Sequence, residues 1–296
     1  MSAHHAASRL LARIRRRHAA RNLDKALVAK IRSLGTILVV GAHPDDEAFM
    51  SAGLMAAARR LGLDVRCLTA TCGEAGSRDE DRWPEATIAA TRRSELLASL
   101  KSIGISPNSH RFLGYIDGEC YLENEEEAVE KILAELIRVM PDTVITFGPD
   151  GFTGHTDHQE VSRWAALAFR IYQDKHAPHA QLLYYASTQQ WQQDCRPLLD
   201  RAKAMYGAQY PTITPESELY LNLTLTGLLL KLKLKAVMAH FSQITPLMDA
   251  VGGMKPLLAW FAHETFLRAI PPSSTHRSSP SADWDSRELF SPAEGR

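Results

Sequence analysis

The sequence contains no apolar stretch long enough to cross a lipid bilayer as a helix. Residues 223–234 are rich in leucine but are interrupted by Lys231 and Lys233, whereas a membrane-spanning helix needs about 20 predominantly apolar residues. Residues 1–35 also lack the apolar core of a secretory signal. We therefore expect a soluble protein without a transmembrane segment.

The sequence also has no excess of positive or negative charge. Lys and Arg together number 34, and so do Asp and Glu, so the chain has no net field that would attract nucleic acid. None of the cysteines forms a CxxC pair of the kind that binds structural zinc or exchanges thiols. We expect a reducing, cytoplasmic setting and no nucleic-acid partner. The four cysteines are Cys67, Cys72, Cys120 and Cys195.

Nucleotide-binding motifs are also missing. No GxGxxG opens the helix that follows the first predicted strand, and no GxxxxGKS/T segment occurs. Several glycines nevertheless follow the predicted strands, and we interpret them as turn residues that let the backbone come close to a site. They are Gly73, Gly76, Gly148, Gly151 and Gly154.

Buried strands alternate with helices over the first half of the chain. Alternation at this spacing is typical of βαβ units and predicts an α/β fold with a mostly parallel sheet. Ligands of such sheets bind beyond the carboxyl ends of the strands. The predicted strands are 36–42, 65–70, 110–113, 143–147, 182–186 and 219–225, and the predicted helices are 48–61, 85–103, 125–140 and 228–241.

Composition divides the chain into three parts. Residues 1–35 are rich in arginine, and we expect a basic extension that is helical or partly disordered; a transit peptide and a basic arm for an anionic surface are the alternatives. Residues 36–270 form one catalytic domain, because 296 residues with 45% hydrophobic content can bury one large core. Residues 271–296 are dominated by Ser, Pro and charge and predict a tail without a core.

Two histidine motifs follow two separate predicted strands. HPDDE occupies residues 43–47, directly after the first strand, and GHTDH occupies residues 154–158, after the strand at 143–147. Both motifs therefore lie in strand-to-helix loops at one edge of the sheet, where they can meet.

Catalytic zinc takes three protein ligands from His, Asp or Glu and keeps a fourth position for water. His43, Asp46 and His158 supply such a set, and Asp45 remains free to accept a proton from that water. A carboxylate next to a ligand carboxylate is otherwise repulsive, and a metal ion offsets this repulsion.

Other interpretations of the same residues stay open at this point. HPDD could begin a helix with an aspartate cap, and Thr156 or Asp157 could cap the next one. Two histidines and one carboxylate also form the facial triad of Fe(II) oxygenases. A structural metal in a non-catalytic sugar-binding module is a further alternative, but such a site has no use for a free carboxylate at Asp45.

Six short segments occur in order between residues 36 and 243. They are AHPDDE at 42–47, TCGEAG at 71–76, RxxEL at 92–96, FLGYIDG at 112–118, PDxVITFGPDGxxGHxDH at 141–158 and KAVMAHFSQ at 235–243. Together they resemble the PIG-L/LmbE-like family of N-acetylglucosaminyl deacetylases and related amidases. The first and fifth segments are the specific ones, and the others are individually weak.

The resemblance implies a Rossmann-like three-layer sandwich that carries zinc instead of a dinucleotide. It places Zn²⁺ on His43, Asp46 and His158, and it makes Asp45 the general base. It assigns His155 to the oxyanion, as a protonated imidazole, and Asp157 to the orientation of a histidine. Arg92, Asp117 and His240 are the residues that it implies for substrate contacts; a solvated helix arginine, a turn aspartate and a core histidine are the alternatives.

The function implied is metal-dependent removal of an acetyl group from an N-acetylglucosamine-type amino sugar or a related glycoconjugate amide. A non-acetyl amide, such as a thiol conjugate or a lipid or glycopeptide acyl group, is an alternative within the same family. The chain departs from simpler family members at residues 187–218, where loops at the rim of the site would select the substrate. The partner expected is thus a small glycoconjugate, and a homo-oligomer is possible.

Overall fold

A computed structural model describes residues 25–77 and 79–269. The predictions for residues 1–24, for the tail at 271–296 and for their roles lie outside these described residues. Within them, residues 25–35 include a helix, and Ile31 and Leu34 are fully buried in the core. The end of the basic segment therefore packs as part of the domain.

Helices and strands alternate throughout the described residues. The strands are β1 (Ile37–Gly41), β2 (Val65–Thr71), β3 (His110–Tyr115), β4 (Thr143–Thr146), β5 (Gln181–Tyr185), β6 (Leu219–Thr224) and β7 (His263–Arg268). The α-helices longer than four residues are α1 (Lys25–Arg32), α2 (Asp46–Leu61), α3 (Glu85–Ser102), α4 (Glu125–Val139), α5 (Thr156–Lys175), α6 (Gln189–Asp194), α7 (Arg196–Tyr206), α8 (Gly227–Ala239), α9 (Phe241–Val251) and α10 (Met254–Phe261).

The seven strands form one sheet in the order β3-β2-β1-β4-β5-β7-β6. The pairs from β3 to β5 are all parallel, and β7 is antiparallel to both of its neighbours. The chain therefore leaves β1 in one direction towards β2 and β3 and returns to the other side of β1 with β4. This reversal between β1 and β4 is the point of an α/β sheet at which ligands bind.

Helices cover both faces of the sheet. On one face α2 packs against β1, β2 and α8, and on the other α5 packs against β1, β4, β5 and α4. All five residues of β1 are buried, as a strand covered on both faces requires. The mostly parallel, three-layer α/β architecture predicted from the sequence is thus confirmed.

The sequence patterns missed most of the structure after residue 187. Strand β7 and helices α6, α7, α9 and α10 were not predicted, because these segments are short and carry weak periodicity. Strand β7 joins the sheet only through antiparallel pairing with β5 and β6, which lie far from it in the chain. None of the described helices is both long and apolar enough to cross a membrane.

A buried ion pair connects α8 to β7 and to the start of α2. Lys233 Nζ lies 2.7 Å from Glu264 Oε1 and also donates to the carbonyl oxygen of Phe49 at 2.7 Å. Glu264 accepts two further bonds from the backbone N–H groups of Gly53 and Leu54. Both charged side chains are fully buried, so removal of one leaves the other uncompensated.

We therefore expect Lys233→Met to lower the free energy of unfolding by about 3 kcal/mol, because the Glu264 carboxylate would remain buried without its counter-ion. Urea denaturation followed by circular dichroism measures this change. Lys235→Met is the matched control, since Lys235 is exposed on the same helix and its replacement should change the stability by no more than about 0.5 kcal/mol. Equal effects of the two substitutions would contradict a stabilising role for the pair.

Candidate active site

The first histidine motif lies at the carboxyl end of β1, and its histidine is held by two carboxylates. His43 is buried, and its Nε2 lies 2.9 Å from Asp117 Oδ1 and 3.1 Å from Asp157 Oδ2. Burial lowers the pKa of His43, but the hydrogen bonds to these two aspartates outweigh burial and raise it to about 10. Because Nε2–H is the donor in these bonds, Nδ1 is the atom of His43 that can bind a metal ion, which displaces the proton from it.

Asp46 is fixed by backbone donors of its own loop. Its Oδ2 accepts hydrogen bonds from the N–H groups of Ala42 and His43, at 2.8 and 2.7 Å. Its Oδ1 lies 3.4 Å from His158 Nε2. One oxygen thus anchors the carboxylate, and the other faces the second histidine motif.

His158 lies in the first turn of α5, the helix that follows β4, and its side chain approaches Asp46 and His43. Its Nδ1 lies 3.0 Å from the carbonyl oxygen of Gly151 and donates to it, and its ring stacks on Phe147 with centroids 4.0 Å apart. Its Nε2 lies 3.1 Å from His43 Nδ1. Burial holds the pKa of His158 well below its usual value, so the neutral imidazole keeps a lone pair on Nε2.

Three donor atoms therefore converge where the sequence predicts a metal ion: His43 Nδ1, His158 Nε2 and an oxygen of Asp46. Two imidazole nitrogens and a carboxylate oxygen are the donors that zinc takes in catalytic sites. The remaining ring nitrogen of each histidine is bonded to a carboxylate or a carbonyl, which is the usual outer arrangement around metal-bound histidines. The residues present fit a divalent metal ion.

Two other groups of potential ligand atoms overlap with this set. The side chains of His43, His155 and His158 have ligand atoms within 4.8 Å of one another, and so do those of His43, Asp117 and Asp157. In the second group the carboxylates bond the outer nitrogen of His43, so they support this ligand. His155 remains close enough to bind a shared ion.

Asp45 is the carboxylate left beside the three donors. Its backbone has a φ angle of 135°, which L-residues rarely adopt, and its side chain makes no capping hydrogen bond to α2. Instead, its Oδ2 lies 3.1 Å from Arg92 Nη2. Burial, opposed by the positive charge of Arg92, raises the pKa of Asp45 to about 6. HPDD thus begins a helix with Asp45 at the N-cap position, but the Asp45 side chain does not cap it.

Arg92 is buried in α3 and connects the loops that follow β1 and β2. Its Nη2 also donates to the carbonyl oxygen of Pro44, and its Nη1 donates to that of Gly73. A Cβ atom at Gly73 or Gly76 would collide with its guanidinium group, so these glycines make room for it. The solvated-helix interpretation of Arg92 does not hold, since only 4% of the residue is exposed.

Asp117 and Asp157 both accept a hydrogen bond from Nε2 of His43. Asp117 also accepts a bond from the N–H of Ala75, and Asp157 accepts bonds from the N–H groups of Gly118 and Cys120. The side chain of Asp157 therefore does not cap α5. It bonds a histidine, as its predicted role of orienting one requires. The sequence implies a substrate contact for Asp117, and the structure adds its contact with His43.

His155 caps α5 at the mouth of the site. Its Nδ1 accepts a hydrogen bond from the N–H of Asp157 at 3.2 Å, so Nε2 carries the proton in the neutral ring. Surrounding protein atoms and the charge on His43 lower the pKa of His155, although the residue keeps an exposed surface. A lower pKa favours the neutral ring, which still offers the Nε2–H donor.

His240 is fully buried and does not line the cavity. Its Nε2 lies 3.1 Å from Glu47 Oε1, and Glu47 Oε2 accepts the backbone N–H of Asp45 at 3.2 Å. The structure therefore does not bring His240 to a substrate, and we interpret it as a support for Glu47. The supporting role of Glu47 was missed, although the residue closes the HPDDE motif.

A cavity of about 370 Å³ opens over these groups. Its lining includes every predicted site residue except Asp157 and His240, and it extends to apolar residues that were not predicted as site residues. These residues are Phe49, Met50, Phe152, Leu247 and Trp260.

The chain is similar to several proteins that are named as deacetylases. The sequence model of the PIG-L family, described as GlcNAc-PI de-N-acetylase, matches residues 38–169. A 1D-myo-inositol 2-acetamido-2-deoxy-alpha-D-glucopyranoside deacetylase from Corynebacterium urealyticum is 31% identical over 170 residues, which are 48% of this chain and 51% of that protein. A protein with the same name from Rhodococcus opacus is 28% identical over 242 residues, or 71% of this chain and 82% of its own length.

The chain spans about half the length of several of the curated relatives that it matches. Among solved structures, the N,N'-diacetylchitobiose deacetylase from Pyrococcus horikoshii, in complex with its inhibitor MPG, superposes with a TM-score of 0.57 at 21% identity. The superposition covers 91% of this chain and 93% of that one, and at such an identity it concerns the fold. Residues 38–169, which carry every predicted site residue except His240, match the sequence model of the PIG-L family.

Proposed function

We propose that this chain is a zinc-dependent hydrolase that removes an acyl group from the amide nitrogen of an amino sugar or a related glycoconjugate. One observation carries the proposal: the donor atoms of His43, Asp46 and His158 converge, and the separate carboxylate of Asp45 lies in the same cavity. A structural metal site requires the converging donor atoms but not a free carboxylate such as that of Asp45.

The fold alone does not decide the reaction, because α/β sheets of this kind host many activities. The names of the relatives from Corynebacterium urealyticum and Rhodococcus opacus support an amide substrate on a glucosamine unit. The cavity volume of about 370 Å³ is within the range of small-molecule sites.

The proposed reaction gives each residue of the site a chemical role. A zinc ion held by His43, Asp46 and His158 would supply an acidified water molecule and polarise the substrate carbonyl. Asp45 accepts a proton from the attacking water at its carboxylate and returns it to the amine nitrogen that leaves. Arg92 holds this carboxylate in place at 3.1 Å. The Nε2–H of His155 donates to the oxygen on which negative charge develops; such preorganised donors contribute about 10² to 10³ in rate.

Asp117 and Asp157 do not take part in proton transfer in this scheme. Both accept the Nε2–H of His43, so they fix its ring and direct Nδ1 towards the metal position. All four cysteines are free thiols, and we propose a reducing, cytoplasmic location on that basis.

The test is the release of carboxylic acid and free amine from a panel of N-acetylglucosamine conjugates. We expect equal amounts of acetate and primary amine, loss of both after treatment with a chelator, and recovery when zinc is added back. The same preparation, assayed without oxygen, should be equally active, because hydrolysis needs no oxidant. Activity that requires Fe(II) and oxygen would instead identify the facial-triad alternative, and a metal-loaded protein inactive on every amide would contradict hydrolysis.

A further inference from the structure

The peptide bond between Pro44 and Asp45 is held at both ends. Its carbonyl oxygen, on Pro44, accepts a hydrogen bond from Arg92 Nη2 at 2.9 Å. Its N–H, on Asp45, donates to Glu47 Oε2 at 3.2 Å. Because a peptide unit is planar, these two bonds on its opposite sides fix its orientation. They hold the unit at which Asp45 adopts its φ angle of 135°.

This orientation determines where the Asp45 carboxylate points. The chain after Asp45 is fixed by α2, since the N–H groups of Ala48 and Phe49 bond the carbonyl oxygen of Asp45 at 2.9 and 2.8 Å. The peptide before Asp45 is the other support of its backbone. A change in φ rotates the side chain relative to the metal-binding motifs. Loss of the bond to Glu47 would therefore let the strained backbone relax and move the carboxylate.

Glu47 needs a partner of its own to keep this position. Its side chain is only 4% exposed, and its Oε1 lies 3.1 Å from Nε2 of His240, which is fully buried. A buried carboxylate oxygen without a donor is costly, and the side chain would turn towards any other donor within reach. The bond from His240 thus keeps the second oxygen of Glu47 at the N–H of Asp45.

The side chain of His240 makes no other hydrogen bond within residues 25–77 and 79–269. Its Nδ1 is buried and has no partner there. An apolar side chain would serve better if this position only filled space, because an unpaired buried nitrogen costs free energy. The bond to Glu47 is therefore the contribution that a histidine makes at this position.

The backbone around His240 connects this bond to α3. His240 precedes α9, and its carbonyl oxygen accepts the N–H of Ile244 at 2.9 Å. In the same turn Ser242 donates from its N–H and its Oγ to the carboxylate of Glu95, at 2.8 and 2.7 Å. Glu95 lies on α3, one turn after Arg92. The supports on both sides of the peptide therefore belong to one connected set of contacts.

We propose that Glu47 and His240 are positioning residues for the hydrolysis: His240 holds Glu47, and Glu47 holds the backbone of Asp45 so that its carboxylate faces the attacking water. This inference rests on the proposed function and adds two residues behind the metal site to the reaction. Neither side chain lines the cavity. Loss of the pair should thus lower kcat and leave KM and the metal content nearly unchanged.

The first test replaces His240 by residues that differ in hydrogen bonding. His240→Leu fills similar space but cannot donate to Glu47. We expect kcat to fall about 10²-fold, which is the size of effect that a displacement of about 1 Å has in an active site. His240→Gln retains an N–H donor and should recover most of kcat. Equal kcat for the two variants, or a leucine variant as active as the wild type, would overturn the proposal.

His110→Leu is the matched control for the loss of a buried histidine. His110 is also buried, but its Nε2 bonds Oγ1 of Thr69 at 2.9 Å. The folded control should keep kcat, KM and metal content, although it too loses a buried hydrogen bond. A loss of kcat as large as that of His240→Leu would show that the effect is not specific to the support of Asp45.

A second test determines whether the effect depends on Asp45. In the Asp45→Asn background the base is absent, so its support should matter little, and His240→Leu should lower the residual kcat by less than about twofold. A purely structural role predicts the same loss of about 10² in both backgrounds. Such additivity would overturn the proposal.

A further variant keeps the proposal testable if His240→Leu alone does not fold. Replacing both Glu47 and His240 by leucine removes the two polar partners together and leaves no unpaired carboxylate in the core. This double variant should be folded and bind zinc, but kcat should stay low because the N–H of Asp45 has lost its acceptor. Wild-type kcat in the double variant would contradict positioning.

Failure of the inference can be distinguished from failure of the proposed hydrolysis. If protein that holds about one zinc ion per chain cleaves no amide, the hydrolysis is wrong. Hydrogen exchange of the Asp45 N–H, followed by NMR of protein labelled with nitrogen-15 aspartate, then tests the support of the backbone by itself. The N–H should exchange about tenfold faster in His240→Leu than in the wild type or His240→Gln. Equal exchange rates in all three would overturn the inference.

Discussion

The Asp45→Asn variant is expected to lose about 10³ in kcat and to retain its metal ion. General bases contribute about 10² to 10⁴ in rate, and an amide cannot take up the proton that the carboxylate accepts. Asparagine keeps the size of the side chain and an oxygen that Arg92 can bond, so the buried guanidinium group at 3.1 Å remains satisfied. The measurement is kcat on the best amide, together with zinc per chain by mass spectrometry.

Asp249→Asn is the matched control, because Asp249 is an exposed carboxylate on α9 and has no task in the reaction. It should leave kcat and the metal content unchanged. A fully active Asp45→Asn enzyme would rule out Asp45 as the base, and an inactive variant without metal would show that Asp45 contributes to metal binding instead.

The backbone of Asp45 offers a separate test. Its φ angle of 135° is costly for any residue with a Cβ atom, and such strain is often found at functional sites. Asp45→Gly and Asp45→Ala should both be inactive, but the glycine variant should be more stable by about 1 kcal/mol. Denaturation of both in urea measures the difference; an alanine variant as stable as the glycine variant would exclude strain at this position.

The second large effect is expected at His158. His158→Ala should lose both the metal ion and nearly all activity, because Nε2 is one of only three donor atoms proposed to hold the ion. Loss of the ring also removes its stacking on Phe147, so the variant must be shown to be folded by circular dichroism. The metal content of the folded protein is the decisive quantity.

His176→Ala serves as the matched control, since His176 lies at the other end of the same helix and is exposed. It should keep its metal and its activity. If His158→Ala retained zinc with unchanged affinity, His155 would have to be the third ligand, because its imidazole lies within 4.8 Å of the same ligand atoms.

Much of the site could be predicted because its residues lie in two short motifs that directly follow predicted strands. HPDDE follows a strand whose residues are all buried, and GHTDH follows β4, which pairs with β1. In a parallel sheet the carboxyl ends of neighbouring strands lie together, so motif and strand pattern were enough to bring His43, Asp46 and His158 to one point. Strand β7 could not be predicted in this way, because only its pairing with β5 and β6 defines it.

The supporting residues depend on contacts between distant parts of the chain. Asp117 and Asp157 follow different strands and nevertheless share the same nitrogen of His43. His240 lies 193 positions after Glu47 and still bonds it. No pattern of residues indicates which of several nearby acids will bond which histidine, because this outcome depends on how the packed helices direct the side chains.

The sequence by itself determined the α/β class, the edge of the sheet that carries the site and the three residues that we propose as metal ligands. Short motifs and strand patterns encode these features through neighbouring residues. Only the tertiary structure decided that Asp117 supports His43, that His240 lies away from the cavity, and that aromatic residues line the cavity. These features arise from the order of the strands and from packing after residue 187, since burial of apolar surface fixes which distant segments meet.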